Sequence, residues 1–109
     1  MPLFKVKAVP EVIVQEGEMS KIRQRRLQLL VHSYIYYELG ESVVSDATWQ
    51  KWADELVKLQ KEYPAISSKV VYAQEFKDFD GTTGYHLPYR EDKIVQIAHW
   101  LVNYNKGGE

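Results

Sequence analysis

Apolar positions recur along this chain with two different periods. Over the first fifteen residues Phe4, Val6 and Ala8, then Val12 and Val14 after Pro10, alternate with other residues. Period-two alternation with β-branched side chains predicts one or two short strands. The polar segment 15–20, with Gly17 inside it, predicts a turn and leaves Ser20 as a helix N-cap. From Lys21 to Leu39 the period changes. Leu27, Leu30, Val31, Tyr34 and Tyr37 fall at the +3, +4, +7 and +10 offsets of one helix face, and Gly40 follows where a helix-terminating glycine is expected. Ser45 or Asp46 then caps a second helix that runs to about Tyr63, where Pro64 stops it. Its apolar face is Trp49, Trp52, Ala53, Leu56 and Leu59. Two amphipathic helices joined by a short link predict an αα-hairpin over about 20–63.

Beyond the hairpin the pattern weakens. Residues 69–73 are β-prone, residues 78–84 are rich in turn formers, and residues 85–88 read as a second short strand. Glu91 and Asp92 open a C-terminal helix over about 91–105, with Ile94, Ile97, Ala98 and Leu101 on one face and Gly107-Gly108 at its end. No repeat or low-complexity tract divides the chain, so residues 1–109 read as a single domain. The expected fold class is α+β, mostly helical, with a few short strands.

Composition narrows the function classes. Fourteen Lys plus Arg against fifteen Asp plus Glu give a net charge of −1, which argues against a strongly basic, nucleic-acid-coating protein. The absence of cysteine removes disulfides, thiolate nucleophiles and Cys-based zinc sites. No apolar run is long enough to cross a membrane, and the first residues lack the apolar core of a signal peptide. The expected location is therefore cytoplasmic. The usual phosphate loops, zinc motifs and nucleophile elbows are missing. His32, His86 and His99 lie too far apart to pair as ligands along a helix, and Asp78-x-Asp80-Gly81 lacks the further ligands of a calcium loop, so no metal site is expected.

Two clusters remain. Lys21, Arg23, Arg25 and Arg26 form a basic run that offers weak contact to a nucleotide phosphate or to nucleic acid, or is simply a solvated helix face. Tyr36, Tyr37, Trp49 and Trp52 gather aromatic surface around the hairpin joint, with Asp46 beside them. Flat rings with a carboxylate at their edge suit a flat, polar or cationic heterocycle, by stacking, cation–π attraction and hydrogen bonding. The alternative is that these rings only pack the helix pair.

The residues His32-x-Tyr34-x-Tyr36-Tyr37, then Asp46-Ala47-Thr48-Trp49-Gln50, Glu55-Leu56 and Tyr63-Pro64 resemble a known pattern. That pattern belongs to domain Ia, the N-terminal helical subdomain of bacterial NAD-dependent DNA ligases. No insertion is needed, and the resemblance covers residues 21–64. In that family the subdomain grips the nicotinamide mononucleotide (NMN) half of NAD, while a separate nucleotidyltransferase domain takes the AMP. The resemblance implies that Tyr36 and Trp49 stack on the ring, that Tyr37 sits near the ribose phosphate, and that Asp46 accepts a hydrogen bond from the amide or the ribose.

Trp49 stands where the family has Tyr, and Gln50 stands where it has a second Asp. Restoring that acid by Gln50→Asp is expected to strengthen nicotinamide binding. The Lys-x-Asp-Gly nucleophile of the ligases is absent from this chain. Asp80-Gly81-Thr82-Thr83-Gly84 repeats a ligase motif at the wrong distance, as a coincidence of turn residues. The resemblance thus implies a non-catalytic binding module that requires no cofactor, of the kind encoded as small standalone proteins by phages and prophages. Its expected partner is NMN or NAD, or a host DNA-replication, repair or defence protein. The alternative is a structural or protein-interaction domain that has lost the ligand site. A partner-assisted ligase role is the weaker third reading.

Overall fold

The structure is a computed structural model that describes residues 11–107, with side chains from residue 17 to residue 106. Four helices follow one another: α1 (Glu11–Leu39), α2 (Asp46–Glu62), the short α3 (Pro64–Ser67) and α4 (Asp92–Gly107). Helix α1 is the spine. Helices α2 and α4 both pack on it, and α3 touches α1 and α2. The sequence explains this central position. Leu29, Leu30, Val31, His32 and Ser33 are buried in succession, followed by Ile35, so this part of α1 is covered on all sides. A helix enclosed all round cannot show a single apolar stripe.

The αα-hairpin is present. Ser45, rather than Asp46, caps α2: its Oγ accepts from the Thr48 backbone N–H at 3.1 Å. Ala53, Leu56 and Leu59 face the core, while Trp49 and Trp52 are half-buried at its edge. On α4 the buried row is Ile94, Ala98 and Val102, and the expected Ile97 is turned outward, 39% exposed. No helix among the described residues is long and apolar enough to cross a membrane.

The α+β class is corrected. Among the described residues there is no strand, and the fold is helical. Phe4, Val6 and Ala8 lie outside those residues, whereas Val12 and Val14 belong to α1. The expected turn at 15–20 is helix as well, so Ser20 is not a cap. Gln15, Glu16, Glu18 and Met19 are good helix formers, and their propensity carries the helix through Gly17 at a cost of about 1 kcal/mol.

Residues 69–73 and 85–88 are turns. A strand needs a neighbour for its backbone groups, and here a side chain supplies it. The buried guanidinium of Arg26 donates from Nη1 to the carbonyls of Val70 at 3.1 Å and Val71 at 3.0 Å. Nη2 donates to Ser67 Oγ at 2.6 Å, and Nε and Nη2 both reach Gln60 Oε1. Arg26 therefore ties α1, α2, α3 and the following loop together. Tyr72, next in that loop, takes a positive φ of 70°, a conformation uncommon for a residue with a side chain. Phe76, Leu87 and Tyr89 then anchor the long connection onto the core before α4 begins.

Candidate functional site

The joint of the hairpin holds a cavity of about 340 Å³. On α1 the positions 32, 33, 36 and 37 face it, and on α2 the positions 46, 49 and 50 do the same. Spacings of three and four place such side chains on one helix face. The link between the two helices closes one end, and Thr82 and Thr83 from the long connection form another wall. The five residues singled out in the sequence, Tyr36, Tyr37, Asp46, Trp49 and Gln50, thus surround one space.

Their surroundings differ. Tyr36 is 57% exposed, with its ring edge-on to Tyr37 at 4.9 Å, so one aromatic face is open. Tyr37 is held: its ring stacks on Tyr89 at 6.0 Å, and its hydroxyl shares a 2.9 Å hydrogen bond with Thr83 Oγ1. Trp49 is half-buried, with Phe79 edge-on to its ring at 6.5 Å. Asp46 is exposed and makes no hydrogen bond or ion pair among the described residues.

Gln50 is committed elsewhere. Its Nε2 donates to Asp54 Oδ1 at 3.0 Å and to the Gly81 carbonyl at 2.9 Å, which fastens the 80–84 loop to α2. An aspartate here has no proton to give and would face a carboxylate and a carbonyl. Gln50→Asp therefore removes the tether of the loop wall as well as adding the acid.

Sequence reasoning missed that wall. Asp80-Gly81-Thr82-Thr83-Gly84 is legible as a turn, but nothing local says where the turn docks. Its glycines explain the docking. Gly81 has φ +85°, and Gly84 lies so close to α1 that an added Cβ would stand 2.1 Å from Ser33 Oγ and 3.1 Å from Trp49 Cζ2. Ser33 Oγ and His32 Nδ1, both at this cavity, are buried without a hydrogen-bond partner. Burial holds the His32 imidazole below its ordinary pKa and so favours the neutral ring.

The basic run does not form one face. Arg26 is 1% exposed and its guanidinium is occupied, so it is not available to phosphate. Arg25 pairs with Glu55 at 2.8 Å and also donates to Gln28. Lys21 and Arg23 remain exposed, away from the cavity. His99 meets the Tyr34 hydroxyl at 3.3 Å, and His86 is exposed. No cluster of three potential metal ligands occurs among the described residues.

Comparison with known proteins finds a partial match. Over 53 residues, 49% of the chain, 30% of positions are identical in a curated protein of Pseudothermotoga lettingae. That protein is a DNA ligase. The matched stretch is 8% of the ligase's length, so the chain contains a ligase-related region and corresponds to a small piece of the relative. No model of a known protein family and no solved structure matches the chain.

Proposed function

We propose that this chain is a non-catalytic module of the ligase domain Ia type, of phage or prophage origin, which binds the nicotinamide end of NMN or NAD in the hairpin cavity. The observation that carries this reading is the convergence of Tyr36, Asp46 and Trp49 on one space of about 340 Å³. That volume is at the small end of the roughly 300–1,000 Å³ typical of ligand pockets, which suits one half of a dinucleotide better than the whole. An open aromatic face beside an uncommitted carboxylate suits a cationic pyridinium ring. The ligase-related region of the chain supports the same direction. The module acts in the cytoplasm, by binding.

Calorimetric titration with NMN, NAD and nicotinamide tests the reading. Saturable heat with NMN, lost in Tyr36→Ala, is the expected result. Absence of heat with millimolar NMN and NAD overturns it. A second reading is favoured by Tyr37 and Trp49, both held by packing against Tyr89 and Phe79. In that reading the rings only brace the hairpin, and the module contacts a host replication, repair or defence protein. The same titration separates the two.

A further inference from the structure

The cavity has a charge pattern that constrains its occupant more narrowly. Among the described residues its lining includes two carboxylates, Asp46 and Glu41, and contains no lysine or arginine. A cation does touch the rim: Lys106 of α4 donates from Nζ to Glu41 Oε2 at 2.9 Å. That ammonium is already paired. The N-terminus of α2 also opens here, and a helix N-terminus ordinarily attracts anions. In this helix the first turn carries Asp46, and Ser45 Oγ already accepts from Thr48 N–H, so an incoming anion meets a carboxylate. Most of the hydroxyls that remain are engaged within the protein; the exceptions are Ser33, buried without a partner, and the exposed Tyr36. Ser42 bonds the Val44 carbonyl, Thr82 bonds Asp80, and Thr83 bonds Tyr37. An unpartnered hydroxyl and a neutral imidazole do not repay a dianionic phosphate for what it loses on leaving water, and among the described residues no lysine or arginine lines the cavity to do so.

We infer that the cavity selects a phosphate-free aromatic cation carrying a ribose diol, a pyridinium nucleoside, and leaves any 5′-phosphate in solvent outside. This rests on the nicotinamide reading above and restricts it to the nucleoside portion. Asp46 is the group that makes the selection. Its carboxylate attracts the ring's positive charge, accepts hydrogen bonds from sugar hydroxyls, and repels a phosphate placed at the same helix end.

The test is calorimetric titration of the full chain with nicotinamide riboside and with NMN, at low salt and at roughly 0.5 M salt, where exposed charges are screened. The riboside is expected to bind roughly threefold to tenfold more tightly than NMN at low salt, as like-charge repulsion across a partly solvated site implies. The gap should narrow at high salt. Asp46→Asn should weaken the riboside more than NMN and so compress the ratio. Glu41→Gln removes one acid and releases Lys106, and should raise NMN affinity relative to the riboside. The pair it breaks is exposed, so folding is little affected. NMN binding as tightly as the riboside, or tighter, overturns the inference and leaves the nicotinamide reading standing. Absence of binding by both compounds overturns both.

Discussion

At Gly84 the long connection lies directly on α1, and the contact leaves no volume for a methyl group. An alanine there would place its Cβ 2.1 Å from Ser33 Oγ and 3.1 Å from both Ser33 Cβ and Trp49 Cζ2. Something must shift, and the atoms that can shift are those that shape the cavity. Gly84→Ala is therefore expected to destabilise the fold by about 1–3 kcal/mol, the usual cost of overpacking. Ser33→Ala should be neutral or slightly stabilising by itself, because its hydroxyl is buried without a partner. Combined with Gly84→Ala it should recover part of the loss, since it deletes the nearest obstructing atom. Urea melts of the two single variants and the double variant measure that coupling, and strict additivity would show that Gly84 and Ser33 do not meet as described. The same scale shows what local sequence can reveal. Tyr36, Asp46 and Trp49 were legible because helical spacing alone brings them to one joint. Gln50 and Ser33 were not, because their neighbours, Gly81 and Gly84, lie far along the chain and reach them only after the connection folds back.

At the scale of elements, one side chain replaces the sheet that residues 69–73 and 85–88 suggest. Arg26 brings a planar array of donors into the space between α1, α2 and α3, and the carbonyls of Ser67, Val70 and Val71 converge on it. Among the described residues its charge has no bonded carboxylate; burial lowers its pKa while Glu75 acts in the opposite sense. Phe76 adds a ring face at 5.8 Å. Arg26→Met keeps much of the volume but leaves those carbonyls unpaired. The expected loss is about 1–3 kcal/mol for each acceptor left buried without a partner. Against a total stability of roughly 5–15 kcal/mol for a domain, that is a large fraction. Arg26→Lys should rescue little of it, since one ammonium cannot span acceptors on several segments. Chemical denaturation checks both variants, and a loss below 1 kcal/mol for Arg26→Met would mean the segments are held by apolar packing alone. This also explains the uneven legibility of the elements. The hairpin and α4 declare themselves by a 3.6-residue period, whereas β-branched residues at 70 and 71 resemble a strand until a distant arginine is seen to take their carbonyls. The same four-cation run that reads as a phosphate-binding face contains that arginine.

At the scale of the whole molecule, charge is dispersed among cross-links rather than gathered into a field. Among the described residues Arg25 pairs with Glu55, Arg90 with Glu38, and Lys106 with Glu41, so three cations there already face acids. Chemistry is dispersed in the same way. A lysine nucleophile needs a deprotonated amine beside the bond it attacks, which burial or a neighbouring cation supplies. Lys21, Lys51, Lys58, Lys61, Lys69, Lys77, Lys93 and Lys106 are all exposed, and none lines the cavity. Lys5 and Lys7 lie outside the described residues, and neither begins a Lys-x-Asp-Gly sequence. A nicotinamide ring seated between Tyr36 and Trp49 would thus find no amine of this lining beside its dinucleotide's phosphate linkage. Incubation of the chain with NAD should leave its intact mass unchanged, with no lysyl-AMP formed and no nicked DNA sealed. If the ligand reading holds, NMN should nevertheless raise the melting temperature in the same sample, by mass action on the folded state. The pair of measurements isolates binding from catalysis. An adenylated mass that acid treatment removes, as expected of a phosphoramidate, would show that a lysine does reach the phosphate, and the chain would then have to be regarded as an enzyme.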